Sequence, residues 1–265
     1  MKEWNNNELE KVDNKQLSES NVFDNALVVI SNLIARATTK WTVEETKLFL
    51  CAVTKIKSRN EDNWVTLPKI DIQEKLGITQ QNGTWLRETF KKVVQKSYIQ
   101  LNGQSADEWH DGFLLYEIKS TKKTISIKFN DTYIPLLDQL SSHFTEFYLD
   151  YVKDFKRLSS FNLYVFLSSW HDPDYLIQNK KIAKNELPKI FNLKDSDYWR
   201  HYGTEKAKFD WSDFEKRVLK PAIEEINNLS SCDMHIDSCE KVKKGKTVLG
   251  YDIKYSFVDE NGYRK

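Results

Sequence analysis

Two basic amphipathic helices, each trailed by a pair of alternating strands with a lysine-rich tip, constrain this chain more than any other feature. The later copy is the sharper. Over 209–228, Phe214, Val218, Ala222 and Ile226 recur every four residues, and Trp211, Leu219 and Ile223 widen the stripe. Ser212 and Glu215 have capping-box spacing at its start. Lys216, Arg217 and Lys220 fall off the stripe in the first half, and Glu224 and Glu225 follow in the second. Pro221 removes a backbone donor, so the pattern reads either as a kink near mid-helix or as an early helix end. Behind the helix, Met234–Asp237 and Val248–Phe257 predict a hairpin whose tip, 241–246, carries Lys241, Lys243, Lys244 and Lys246.

The same order stands earlier in the chain. Leu76-Gly77-Ile78 suits a short helix, begun near Asp71 and Glu74, that stops at glycine and turns. A helix over 83–96 follows, with Trp85, Leu86, Phe90, Val93 and Val94 inward and Arg87, Lys91, Lys92 and Lys96 outward. Strands at 98–101, 113–118 and 124–129 come next, and the tip 119–123 carries Lys122 and Lys123. A helix-turn-helix followed by such a hairpin is a winged helix. Two of them, with elements roughly 115–125 residues apart, give an α+β fold of tandem winged-helix domains.

The remaining segments fill that frame. Residues 1–21 are polar and read as a flexible arm. Apolar residues over 22–36 read as a helix or helix-like segment. Thr42 and Glu45 cap a helix over 43–57, and 64–67 is a short strand ended by Pro68. Residues 131–140 look helical, 144–155 could be strand or linker, and 159–170 and 183–192 are helices before a polar, aromatic insert at 194–208. The expected domains are 22–143 and 144–265, one winged helix each.

Charge narrows the function. The net formal charge is only +1, so binding to nucleic acid must come from local patches. The tandem basic helices and lysine tips form such patches, and lysine meets phosphate as a flexible point charge. Arg87 and Arg217 have the fork that reads guanine edges. The competing reading, two solvated helices and two soluble tips, loses ground because the unit occurs twice.

Three cysteines make no disulfide framework, and no apolar run approaches eighteen residues, so a cytoplasmic protein with no membrane contact is expected. Gly245-Lys246-Thr247 lacks the upstream glycine of a phosphate-binding loop, because position 240 is Glu. Cys232, His235 and Cys239 lack a fourth zinc ligand. No two of the five histidines are separated by a single residue, as metal-dependent nicking would want. Nothing assembles a nucleophile, base and orienter, so neither catalysis nor a cofactor or metal is expected.

The runs 47–56, 76–78 and 214–227 (the last reading Phe-Glu-Lys-Arg-Val-Leu-Lys-Pro-Ala-Ile-Glu-Glu-Ile-Asn) resemble those of plasmid replication initiators, the RepB- and RepE-like proteins of theta-type replication. That resemblance implies two winged helices that bind origin repeats called iterons. It implies monomers that open the origin, and dimers, paired through the N-terminal domain, that repress their own gene. It makes Lys216, Arg217 and Lys220, and Arg87, Lys91 and Lys92, base-reading candidates. A host replication initiator and helicase would be further partners. The competing functions are a transcriptional regulator with no origin role and a rolling-circle nicking enzyme.

Overall fold

Thr42 opens the first long helix as its spacing demands. Its hydroxyl accepts from the Glu45 amide (3.3 Å), and the Glu45 carboxylate accepts from the Thr42 amide (2.8 Å). The computed structural model describes residues 21–78, 83–102, 109–138, 140, 142–194 and 196–258. All of the expected arm except Asn21 lies outside the described residues.

The N-terminal unit begins with β1 (Leu27–Ser31) and a single turn α1 (Asn32–Ala35), then α2 (Val43–Thr54). Strand β2 (Trp64–Pro68) leads into α3 (Lys69–Lys75) and α4 (Gly83–Gln95). Gly77, at φ +62°, allows the reversal after α3 that a side chain would strain. Strands β3 (Tyr98–Asn102) and β4 (Trp109–Phe113) form a hairpin, and β5 (Leu115–Ser120) and β6 (Thr124–Phe129) form the wing. The wing closes back on the chain ahead of the helix pair, because β6 pairs with both β2 and β5. Val65 and Leu67 of β2 meet Ile127 and Ile125 of β6 across that ladder, and all four are buried.

The C-terminal unit repeats this order. After a turn α5 (Leu149–Val152), which is bonded to the N-terminal half, come α6 (Leu158–Ser168), β8 (Gln178–Ala183) and α7 (Leu187–Ile190). A minimal ladder of β9 (Trp199–Arg200) and β10 (Lys208–Phe209) comes before α8, which spans 211–228. The wing strands β11 (Met234–Lys244) and β12 (Thr247–Phe257) complete it. Strand β12 is central between β11 and β8, as β6 is between β5 and β2. The tandem winged-helix arrangement expected from the sequence is present.

Several expectations are corrected. Residues 27–31 form strand, not helix. The run Leu-Val-Val-Ile is rich in β-branched residues and pairs antiparallel with β7 (Phe144–Tyr148), Val28 and Ile30 facing the core. The segment 131–140 is helical only over Asp131–Leu136, as a 3₁₀ helix containing Pro135, which cannot donate the bond an α-helix needs. The helix expected over 183–192 is shortened to the single turn α7, and the chain before it forms strand β8. Strand β8 is largely polar because it lies at a sheet edge, with only Gln178 and Ile182 buried. The second wing strand reaches back to Thr247, and the first runs on through Lys244.

Strand β7 joins the two halves. It is bonded to β1 along five register pairs, and its Phe147 ring meets Tyr164 of α6 edge-on at 5.5 Å. The Arg36 guanidinium donates to both the hydroxyl (2.8 Å) and the carbonyl (2.6 Å) of Ser169 and lies 3.8 Å from the Trp170 ring centroid. The apolar core is continuous across these contacts.

Gly250 is where β12 passes closest to β8, since a Cβ there would overlap the carbonyl of Ile182. Gly250→Ala should therefore destabilise the protein by about 1–3 kcal/mol through overpacking against backbone. Urea unfolding should show an earlier midpoint at an unchanged slope.

Candidate nucleic-acid interface

Helix α8 starts before the point the sequence pattern suggests. Asp210, not Ser212, is the N-cap, and its Oδ1 accepts from the Asp213 amide (3.2 Å). The first turn, Trp211–Phe214, is α-helical, Glu215–Leu219 is a π-turn, and Lys220–Asn228 is α-helical again. The helix therefore passes through Pro221 without ending. Proline removes one amide donor and crowds the carbonyl four residues back, and the wider turn just before it accommodates both.

Burial sorts the helix as its period requires. Phe214, Val218, Leu219, Ala222 and Ile226 are buried, while Lys216, Arg217 and Lys220 are exposed. Arg217 donates to Asp213 Oδ1 one turn back (2.6 Å), which holds the guanidinium above its usual pKa. Glu225 joins α8 to α6, since its two carboxylate oxygens accept the amides of Lys156 and Arg157 at the start of α6 (2.9 and 3.1 Å). Asn227 pins the far end of the helix to β11, exchanging two hydrogen bonds with Ile236 (3.0 and 2.8 Å).

The wing is tied to the helix by Glu215. It accepts from Lys241 (2.8 Å) and from the Tyr251 hydroxyl (3.0 Å). Burial, then Glu215, pushes the Tyr251 phenol upward. Lys241, expected as part of the basic tip, is therefore half-buried and paired with a carboxylate of α8. Lys243, Lys244 and Lys246 remain exposed around Gly245, whose φ of +60° serves a hairpin turn.

The N-terminal unit is similar in plan. Arg87, Lys91 and Lys92 are exposed along α4, and Leu86, Phe90 and Val93 are buried. Lys96, expected beside them, instead holds both oxygens of the buried Glu45 (2.7 and 2.8 Å) and so locks α4 to the start of α2. The wing carries Lys122 and Lys123 at an exposed turn. Lys69, not singled out by the sequence, donates to the Thr121 carbonyl in that turn (2.5 Å). Burial, then the neighbouring Arg87, lowers its pKa. Lys119 lies 3.9 Å from the Trp64 ring centroid.

Cys232 is buried, Cys239 half-buried and His235 exposed on β11, and burial raises both thiols to about 12. Among the described residues no group of three or more His, Cys, Asp or Glu could hold a metal ion. No described helix is long and apolar enough to cross a membrane.

The family described as "Initiator Replication protein, WH1" matches residues 27–168, and "Initiator Rep protein, WH2" matches 184–255. The structure is similar to that of the Pi initiator protein, solved in complex with iteron DNA. The TM-score is 0.65 at 16% identity, covering 89% of this chain and 98% of that one. A weaker likeness, at a TM-score of 0.48 and 12% identity, joins it to domains 2 and 3 of RctB, covering 83% and 85% of the two chains. No curated protein matches by sequence.

Asp210 also accepts from Arg200 (2.9 and 2.5 Å), and this pairing, with the Asp213 amide, holds its carboxyl below the usual range. A depressed carboxylate stabilises the fold above its unfolded value of about 3.9 and ceases to as pH falls through the folded one. Asp210→Asn keeps the cap but loses the ion pair. Its melting temperature should lie below that of the wild type at pH 7, and thermal melts should show the gap closing below about pH 3.9.

Proposed function

Since this chain belongs to the initiator replication protein family, we propose that it starts plasmid replication by binding repeated double-stranded sites, iterons, at the origin. One observation carries the reading to these residues. Each winged helix presents three exposed cations on the helix after its turn, Arg87, Lys91 and Lys92 in one and Lys216, Arg217 and Lys220 in the other. Each has exposed lysines at its wing tip. Helices of this kind enter the major groove, and wings follow the phosphate backbone.

The two units act together. Residues 22–143 form a DNA-binding and dimerising unit, and 144–265 the iteron-reading unit. The β3–β4 hairpin offers the dimer surface, with Tyr98 and Phe113 exposed and stacked edge-on at 5.2 Å and Tyr116 exposed nearby in sequence. Dimers repress the protein's own gene. Monomers hold two grooves at once and strain the duplex, which helps an adjacent A·T-rich stretch to open. The protein acts in the cytoplasm without catalysis of its own, and hands the open origin to a host initiator and helicase. The likeness to a structure solved with iteron DNA supports this reading at the level of fold.

Gel-shift and footprinting on the DNA beside its gene test it. Protection of direct repeats about two helical turns apart supports initiation, and a lone inverted repeat would favour a transcriptional regulator. A nicked product carrying the protein, formed from supercoiled DNA and a divalent metal, would replace both readings with nicking. Arg217→Ala should lose about 1–3 kcal/mol of preference for the repeat over scrambled duplex. Lys243→Ala should weaken all duplexes alike and make the salt dependence shallower by about one ion. Equal loss of preference in both variants would refute that division of labour.

A further inference from the structure

The segment between α7 and α8 is longer than a turn needs to be, and it is built rather than loose. Its stem is the β9–β10 ladder, Lys208 opposite Arg200 and Phe209 opposite Trp199. The Asp210 amide donates to the Tyr198 carbonyl (2.6 Å), and a turn closes within the loop where the Thr204 amide meets the His201 carbonyl (3.2 Å). Tyr198 and His201 adopt left-handed backbone, φ +62° and +54°, and Gly203 lies at +77°. Non-glycine residues are held there only where surrounding contacts over-determine them.

Those contacts are aromatic. Phe209 lies 4.8 Å from Trp211, 5.6 Å from Trp199 and 5.6 Å from Phe214, and Tyr198 meets Phe214 edge-on at 5.6 Å. The hairpin therefore stands on Phe214, the first buried residue of α8. Arg200 and Asp210 clamp it to the helix cap. Tyr198 sits close enough to Asp213 and Arg217 to feel both charges. The hairpin thus adjoins the end of α8 that carries Arg217.

Its outer surface has a different composition. Arg200, His201, Tyr202, Lys206 and Lys208 are all exposed, and Glu205 is the one acidic residue over 198–209. Tyr202 is 53% exposed although it is a large ring. An aromatic base carrying exposed lysines and an exposed phenol is not what solvation alone requires. Lysine and tyrosine are both common donors to phosphate oxygens.

We propose that the 198–209 hairpin is a further DNA-contacting element, with Lys206, Lys208 and Tyr202 binding backbone phosphates beside the groove that α8 enters. The element rests on the reading of α8 as a duplex-binding helix. It extends the contact at the N-terminal end of α8, opposite in sequence to the wing. The contacts are to phosphate, so they add affinity and fix register without choosing the base sequence.

The test uses the full chain carrying Lys206→Ala and Lys208→Ala together, with Lys206→Glu and Lys208→Glu as a charge-reversed pair. Both sites are exposed, and circular dichroism should report an unchanged fold. On a repeat-bearing duplex the alanine pair should make the log–log salt slope shallower by about 1.8, since each phosphate contact contributes about 0.9. Hydroxyl-radical footprinting should lose protection at one edge of the site while the centre stays protected. Preference for repeat over scrambled duplex should remain within about twofold of wild type. The charge-reversed pair should weaken binding further. An unchanged slope and footprint in a protein that binds the repeat would overturn the proposal. So would normal DNA binding with lost plasmid replication, which would make the hairpin a docking surface for a protein. Failure of the wild type to bind any duplex would instead sink the reading of α8 itself.

Discussion

Each half of this protein depends on one long-range strand pairing. The last wing strand returns to pair with the strand that precedes the helix-turn-helix, β6 with β2 and β12 with β8. That pairing spans the two helices in sequence and fixes wing and helix in one frame. Without it, the hairpin would be a marginal two-stranded ribbon and the helix a short amphipathic one. With it, the lysines of the tip and the cations of the helix keep a set separation. A protein that recognises a duplex needs that rigidity, because the phosphate spacing it must match is itself fixed.

Charged side chains in these units serve two purposes, and position separates them. Lys96 with Glu45 and Lys241 with Glu215 join elements of the fold. Asp210 with Arg200, and Glu225 with the amides of α6, do the same. Lys216 and Lys220 stay exposed on the helix face, and Lys243, Lys244 and Lys246 stay exposed at the wing tip. Charge count alone would miss this division, because the net charge of the chain is close to zero.

Much of the fold is legible because it is written in local periodicity. Thr42 and Glu45 cap α2 as their spacing requires, and the buried residues of α4 and α8 follow a helical repeat. Ile125, Ile127 and Phe129 alternate as a wing strand should. Two strands that local pattern misses, β1 and β8, have a character that comes from a distant partner. The run Leu27–Ser31 is apolar enough to pass for helix until β7 lies beside it. The polar sequence of β8 is acceptable only because β12 covers one of its edges. The cap of α8 lies two positions ahead of the expected one because Asp210 and Ser212 are both good caps, and the β10 stem selects between them.

Local pattern alone shows that two basic helices, each with a lysine-tipped hairpin, recur, since side-chain period and glycine or proline punctuation act within a few residues. It also shows which cations could face outward, because they sit off the apolar stripe. Which of them do is settled by packing between distant segments. Lys96 and Lys241 are each held by a carboxylate from a separate element, and Pro221 stays within a continuous helix because a π-turn and a packed face carry the chain past it. Such choices depend on contacts between residues far apart in the chain, which no local pattern records.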